Sequence, residues 1–172
     1  NHAEGDYIVF CDSDDYMPEC ALECLRKTIE QSGADIVIGN YQPVDSSNNY
    51  GKPSNNKLTY GNDNISIYKS LLTKETSHSL WGKIYKKELF KNHKYLTYQK
   101  FINGEDGFLL YQIVKNTTKV IAIEDVVYYY YYNIESSSKL KLSENGIWSI
   151  ITFWNLLDSM FKNNEEIYPF VR

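Results

Sequence analysis

Three aspartates, Asp12, Asp14 and Asp15, follow the apolar run Tyr7-Ile8-Val9-Phe10-Cys11. Asp12 and Asp14 are two apart, so at a strand end their carboxylates can converge on one hard cation. Crowding a third acid beside them costs electrostatic energy unless a cation or a raised pKa relieves the repulsion. Mg²⁺ or Mn²⁺ suits such a set, because these ions keep coordination positions for water and phosphate oxygens. The acids could then bind a diphosphate and stabilise it as a leaving group.

Three other readings use the same residues. An EF-hand loop also begins Asp-x-Asp and finds Glu23 at its twelfth position, but Met17 stands where that loop needs Gly, Pro18 follows, and a strand precedes it. A haloacid-dehalogenase-like phosphatase would use Asp12 as nucleophile and Asp14 as acid/base, yet Tyr16 departs from that pattern and no downstream Lys motif is evident. The acids could also simply favour a helix start, for which two would serve as well as three.

The elements that must position these acids are legible nearby. Tyr7 to Asp12 reads as a buried parallel strand whose carboxyl end opens onto a site. A helix follows, with Pro18 in its first turn and Leu22, Leu25 and Ile29 on one face, until Gly33 stops it. Asp35 to Tyr41 reads as a second buried strand. Strand, helix and strand with short joints imply a parallel βαβ unit in an α/β sheet, where ligands gather at strand carboxyl ends. Gln42 to Asn56 is a polar loop or loose hairpin. Helices are expected over Asn64 to Lys74 and Glu105 to Lys115, and strands over Lys119 to Glu124 and Val126 to Asn133. Ile147, Ile150, Ile151, Trp154, Leu157 and Phe161 form one face of an amphipathic helix near the end. The run Tyr128 to Tyr132 would place three rings on one face of a strand and two on the other, for packing or for stacking on sugars.

Composition limits the partners. The 172 residues suffice for one domain with a proper core, and a net charge of −4 with interspersed signs offers nothing to nucleic acid. Cys11, Cys20 and Cys24 are not at metal-ligand spacing and read as reduced structural thiols of a cytosolic protein. No apolar run approaches bilayer-crossing length. The chain opens at Asn1 without an initiator Met and reaches a strand within a few residues, as a piece of something longer would.

The stretch from Glu4 to Glu19, Trp81-Gly82-Lys83-Ile84-Tyr85-Lys86-Lys87-Glu88-Leu89-Phe90, and Gly104-Glu105-Asp106-Gly107-Phe108 occur in this order. The set resembles the family 2 glycosyltransferases, bacterial inverting enzymes with the GT-A fold, over roughly Ala3 to Ser138. The resemblance implies an incomplete GT-A (Rossmann-like) α/β fold, a mixed sheet with flanking helices that lacks its N-terminal nucleotide-binding half. Residues 1–138 would be the C-terminal part of that domain and 139–172 a helical extension.

The resemblance also implies site roles: Asp12 and Asp14 as the metal and diphosphate motif, Ser13 and Asp15 as donor contacts beside them, and Asp106 as catalytic base. The helix-start position after Gly104 would expose Asp106, and Glu105 could oppose its ionisation and raise its basicity. Trp81 would line the cleft or sit in the core. Lys83, Glu105 and Ser137 would approach the acceptor or diphosphate. Many members carry an Arg after the tyrosines, where this chain has Asn133, leaving Lys139 or Lys141 to substitute. The implied partners are Mn²⁺ or Mg²⁺, a nucleotide-sugar donor with a UDP-sugar foremost, and a saccharide or glycolipid acceptor. The setting implied is cell-surface polysaccharide or glycolipid synthesis in the cytoplasm, with peripheral association at the inner face of the membrane. The phosphatase and a non-catalytic carbohydrate-binding fragment remain as alternatives. With the base-recognition half missing, the isolated chain is expected to bind nucleotide weakly and turn over little.

Overall fold

A computed structural model describes residues 3–91, 93–98, 101, 104–132 and 143–171. Ser137, together with Asn133, Lys139 and Lys141, lies outside the described residues. The elements run β1 (Tyr7–Val9), α1 (Ala21–Ser32), β2 (Ile36–Val44), α2 (Asn64–Leu72), β3 (Lys83–Lys86), α3 (Glu105–Val114), β4 (Val120–Tyr131), α4 (Glu144–Phe161) and α5 (Tyr168–Val171).

The four strands form one mixed sheet in the order β1-β3-β2-β4. β1 and β2 run parallel, as a βαβ unit requires, but they are not neighbours. The antiparallel β3 lies between them, pairing Ile8 with Tyr85 on one side and Val37 with Ile84 on the other. The sequence pattern missed this insertion because β3 arrives much later in the chain. β4 pairs with β2 in parallel as one continuous strand rather than two. The apparent break is a bulge: Ile38 faces Ala122, yet Asn40 faces Val126. Asn40 secures it by donating from Nδ2 to the Glu124 carbonyl at 3.0 Å, while its Oδ1 accepts from the Asn56 amide at 2.8 Å. Gly39 permits the close approach of the strands, since a Cβ there would lie 2.3 Å from Val127 Cγ2.

Alternation along the strands separates two apolar layers. On one face Val37, Ile84, Val127 and Tyr128 pack with Ala21, Leu25 and Ile29 of α1. These helix positions are four apart and form its inner stripe, whereas Leu22, expected with them, is 54% exposed. Gly33 ends α1 in a left-handed conformation (φ 67°), its amide returning to the Ile29 carbonyl. On the other face Ile36, Ile38 and Tyr85 meet Tyr68 and Leu71 of α2 and Leu110, Tyr111 and Ile113 of α3.

Leu157, Phe161 and Ile167 enter this same core, so the C-terminal segment is packed onto α2 and α3. The apolar stripe of α4 is only partly used, however. Leu157 and Phe161 are buried, but the helix turns Ser149 and Phe153 toward the core and leaves Ile147, Ile150, Ile151 and Trp154 exposed. The three cysteines are free; Cys11 and Cys20 are exposed rather than buried. Among the described residues no helix is long and apolar enough to cross a membrane.

Candidate active site

β1 ends just before the acids, and the chain turns so that the Asp15 amide donates to the Asp12 carbonyl at 3.2 Å. Asp12, Ser13 and Asp14 stand exposed on this turn, while Asp15 points inward. The turn is fastened to β4 at several points. The Asp12 amide donates to Tyr128 Oη at 3.0 Å, and the Tyr128 hydroxyl donates to Asp15 Oδ2 at 2.7 Å. Asp15 Oδ1 accepts the Tyr131 amide at 2.7 Å, and Tyr16 and Tyr129 exchange backbone hydrogen bonds. Both Asp15 oxygens are therefore committed within the protein, leaving Asp12 and Asp14 free to turn toward an ion.

The tyrosine run packs on both faces of β4. Tyr128 is fully buried and stacks on Trp81, with ring centroids 4.5 Å apart and planes 8° apart. Trp81 also lies nearly parallel to Tyr130 at 5.6 Å and meets Tyr41 edge-on at 5.1 Å. On the opposite face Tyr129 packs against Tyr16 and Tyr50. Trp81 thus belongs to an aromatic stack directly behind the acidic turn, and remains partly exposed.

Asp106 lies in the first turn of α3, which Gly104 enters with φ 89°, a conformation that strains any residue with a Cβ. Asp106 Oδ2 accepts the Leu80 amide at 3.0 Å. The loop presenting that amide is held from beneath by β3: Lys83 Nζ donates to the Ser79 carbonyl at 2.6 Å, and the Tyr85 hydroxyl donates to the Leu80 carbonyl at 2.9 Å. Lys83, expected to face the cleft, is 1% exposed and aims its ammonium at the loop backbone. Lys86 is also turned away, pairing with Asp35 near the C-terminal end of α1.

Electrostatics join the two halves. Although Asp12 is open to solvent, neighbouring protein partly desolvates its carboxyl and raises it from its ordinary value, and the charge of Asp106 adds more to this than Asp15, Asp14 or Glu105. A carboxylate nearly a hundred residues away in sequence therefore weighs on Asp12 more heavily than the acids adjacent to it. Asp15 is also raised, because burial and the charge of Asp14 outweigh the hydrogen bonds from Tyr131 and Tyr128. Burial lowers the Lys83 ammonium to about 7, against the opposing pull of Asp106.

This is a strained, oxygen-only acidic cluster of the kind a hard divalent cation relieves. Among the described residues no group of three or more His, Cys, Asp or Glu is arranged to hold a metal. Two exposed carboxylates fit an ion that takes its remaining ligands from water and phosphate. The roles of Tyr128, Tyr85 and the Leu80 amide had no sequence signal: the first two look like ordinary core aromatics, and the third is backbone.

Comparison with known proteins bears on the family and the fold. A family model described as Glycosyl transferase family 2 matches residues 1–95. Glycosyltransferase GlyA of Streptococcus pneumoniae serotype 4 (strain ATCC BAA-334 / TIGR4) is 30% identical over 171 residues, covering 93% of this chain and 23% of that protein. Glycosyltransferase GlyG of the same organism is 27% identical over 140 residues, covering 73% of this chain and 44% of that protein. The crystal structure of S. aureus TarS 1-349 in complex with UDP-GlcNAc has a TM-score of 0.68 at 20% identity, covering 96% of this chain and 46% of that one. TarS 1-349 in complex with UDP has a TM-score of 0.56 at 18% identity, covering 94% and 49%. The chain spans less than half the length of each of these proteins. The structural likeness establishes the fold, part of a GT-A fold with its mixed sheet and flanking helices. With its acidic turn, its distant partner Asp106 and a family model matched over more than half its residues, the chain belongs to glycosyl transferase family 2.

Proposed function

We propose that this chain supplies the acidic and acceptor-activating part of an inverting transferase that moves a sugar from a nucleotide-diphosphate sugar to an acceptor hydroxyl. The observation that carries this reading is the placement of Asp106, held by the Leu80 amide just before β3, which pairs with β1 just before Asp12, so that its charge reaches the Asp12 carboxyl. Asp106 takes the proton of the acceptor hydroxyl as that oxygen attacks the anomeric carbon, the C–O bond to the diphosphate breaks, and configuration inverts. The Leu80 amide fixes one oxygen of Asp106 and leaves the other to meet the acceptor. Asp12 and Asp14, with Ser13 between them, face the donor diphosphate. A bound Mn²⁺ or Mg²⁺ would offset the charge of the departing diphosphate.

Asp15 serves in this scheme as the anchor of the turn, and Lys83 and Tyr85 as supports of the loop that orients Asp106. Trp81, Glu105 and Ser137 remain candidates for contacts with acceptor or diphosphate. The UDP-GlcNAc and UDP held by TarS make a UDP-sugar the first donor to test. A saccharide or glycolipid acceptor and a role in cell-surface polymer synthesis at the inner face of the membrane are part of the same reading. Family membership argues against the phosphatase alternative.

In an active transferase carrying this chain, Asp106→Asn should reduce transfer at least about 10²-fold, the lower bound expected for loss of a general base, while donor affinity is unchanged. Isothermal titration of UDP with Mn²⁺ measures donor binding, and release of UDP measures turnover. Transfer retained by the Asn variant refutes the base assignment.

A further inference from the structure

The loop that presents the Leu80 amide to Asp106 is fastened at a second point, by Asn56 in the segment that follows β2. Asn56 Oδ1 accepts the Ser77 amide at 2.9 Å and the Thr76 hydroxyl at 3.4 Å. Its Nδ2 donates to the Gly39 carbonyl at 2.8 Å, and its own amide donates to Asn40 Oδ1 at 2.8 Å. One side-chain amide thus joins β2 to the loop with both its donor and its acceptor. Between Ser77 and Leu80 the chain is stiffened by its own groups. Ser77 Oγ accepts the Ser79 amide at 3.2 Å and lies 2.7 Å from Ser79 Oγ. A shift at Ser77 therefore reaches the Leu80 amide. Ser77 also borders an open cavity of about 320 Å³ whose lining includes the polar side chains of Ser54, Asn55 and Glu75, so hydrogen bonds set its position on that side.

We propose that Asn56 is a positioning residue for sugar transfer, which sets Asp106 against the acidic turn. The proposal rests on the reading of Asp106 as the base and adds the part that aligns it. Lys83 and Tyr85 hold the loop from β3, and support from that strand alone leaves the loop able to pivot about it. Asn56 supplies a second point of support, from β2. The same part of β2 is locked to β4, because Asn40 Nδ2 donates to the Glu124 carbonyl at 3.0 Å, and β4 holds the acidic turn through Tyr128 and Tyr131. The base and the diphosphate motif are therefore referred to one strand pair through Asn56. Alignment of this kind acts on the chemical step: a displacement of about 1 Å in a reacting group costs up to about 10²-fold in rate while binding contacts elsewhere persist.

In an active transferase carrying this chain, Asn56→Leu removes the donor and the acceptor at similar volume, Asn56→Ala repeats the test with a smaller side chain, and Asn56→Asp keeps an acceptor for Ser77 and Thr76. Asn56→Leu should lower kcat about 10- to 100-fold, the range set by a displacement of up to about 1 Å, with acceptor KM and UDP affinity unchanged. Asn56→Asp should recover most of that loss. In an Asp106→Asn background Asn56→Leu should cost nothing further, because its effect passes through Asp106. A residue that only stabilised the fold would add its loss to that of Asp106→Asn.

The chain itself gives a readout that does not depend on turnover. The proton–nitrogen NMR signal of the Leu80 amide in the Asp106→Asn variant marks the loss of its carboxylate acceptor. Asn56→Leu should move the wild-type signal in that direction, and Asn56→Asp should leave it near its wild-type position. Full transfer by Asn56→Leu, additive losses in the double variant, or an unmoved Leu80 signal overturns the proposal. Failure of both Asn56→Leu and Asn56→Ala to fold also overturns it, by assigning Asn56 to stability alone. If Asp106→Asn loses transfer and Asn56→Leu does not, only the positioning role falls; if Asp106→Asn retains transfer, the base assignment falls with it.

Discussion

Replacing Tyr128 with Phe removes one oxygen and leaves everything else about the residue in place. The ring is fully buried and stacked 4.5 Å from Trp81, so packing is preserved. What disappears is the hydroxyl that accepts from the Asp12 amide and donates to Asp15 Oδ2. A hydrogen bond to a charged group contributes roughly 1.5–3 kcal/mol, and an amide left without a partner costs roughly 1–3 kcal/mol when fully buried. Both groups are only part-buried, so water recovers a share of each, and the net loss is about 2–3 kcal/mol. For a chain of this size that lowers Tm by about 4–10 °C.

The sign of its pH dependence follows from Asp15. That carboxyl is raised in the folded chain, chiefly by burial, so its contribution to stability is present below the unfolded value and is lost as pH rises through the folded value. Loss of the Tyr128 donor raises it further, because that hydrogen bond favours the ionised form. The deficit of the variant should therefore be larger at pH 7 than in more acidic buffer, where protonation removes the ionised form that the Tyr128 hydrogen bond favours. Urea denaturation followed by circular dichroism at the two pH values measures this. A destabilisation below about 0.5 kcal/mol, or an equal deficit at both pH values, refutes the latch between β4 and the acidic turn.

Asp12→Asn should stabilise the chain at pH 7, raising Tm by about 1–3 °C in thermal scans, because the native carboxylate is held against burial and four like charges. The gain should shrink as pH falls below the raised Asp12 value, and millimolar Mn²⁺ should stabilise the wild type but not the Asp12→Asn, Asp14→Asn double variant. Lys83→Met should abolish a pH dependence particular to the wild type. The native ammonium titrates near 7, well below its unfolded value, so the unfolded chain binds the extra proton and wild-type stability should rise from about pH 7 toward 10. A urea midpoint that rises equally in the Met variant would count against a buried charged lysine. Gly39→Ala should destabilise by about 1–3 kcal/mol in urea unfolding, since its Cβ would overlap Val127 Cγ2, and a neutral result would mean that the bulge yields easily.

Local pattern was a good guide where the physics is local. The left-handed stop at Gly33, the amphipathic repeat of α1 and the burial of Ile36 to Ile38 each depend on residues within one or two turns, and each was legible. Leu22 shows the limit of periodicity, because spacing defines a stripe but not which edge of it the sheet will cover. The bulge in β4 is similar: the acids Glu124 and Asp125 suggested two strands, and only the partner β2, with Asn40 reaching the Glu124 carbonyl, made them one.

By itself the sequence determined the kind of chemistry: acids too crowded to be indifferent to cations at the end of an apolar strand, and a second acidic pair at a helix start. Tertiary structure decided how these groups are used. It set Asp106 close enough to Asp12 to raise its carboxyl, took Asp15 out of the exposed set through Tyr128 and Tyr131, buried Lys83 beneath the loop, and set Trp148 against Tyr98 and Phe101. These are contacts between segments far apart in the chain, selected by the packing of α2, α3 and α4 on one face of the sheet. No spacing along a single strand or helix encodes them.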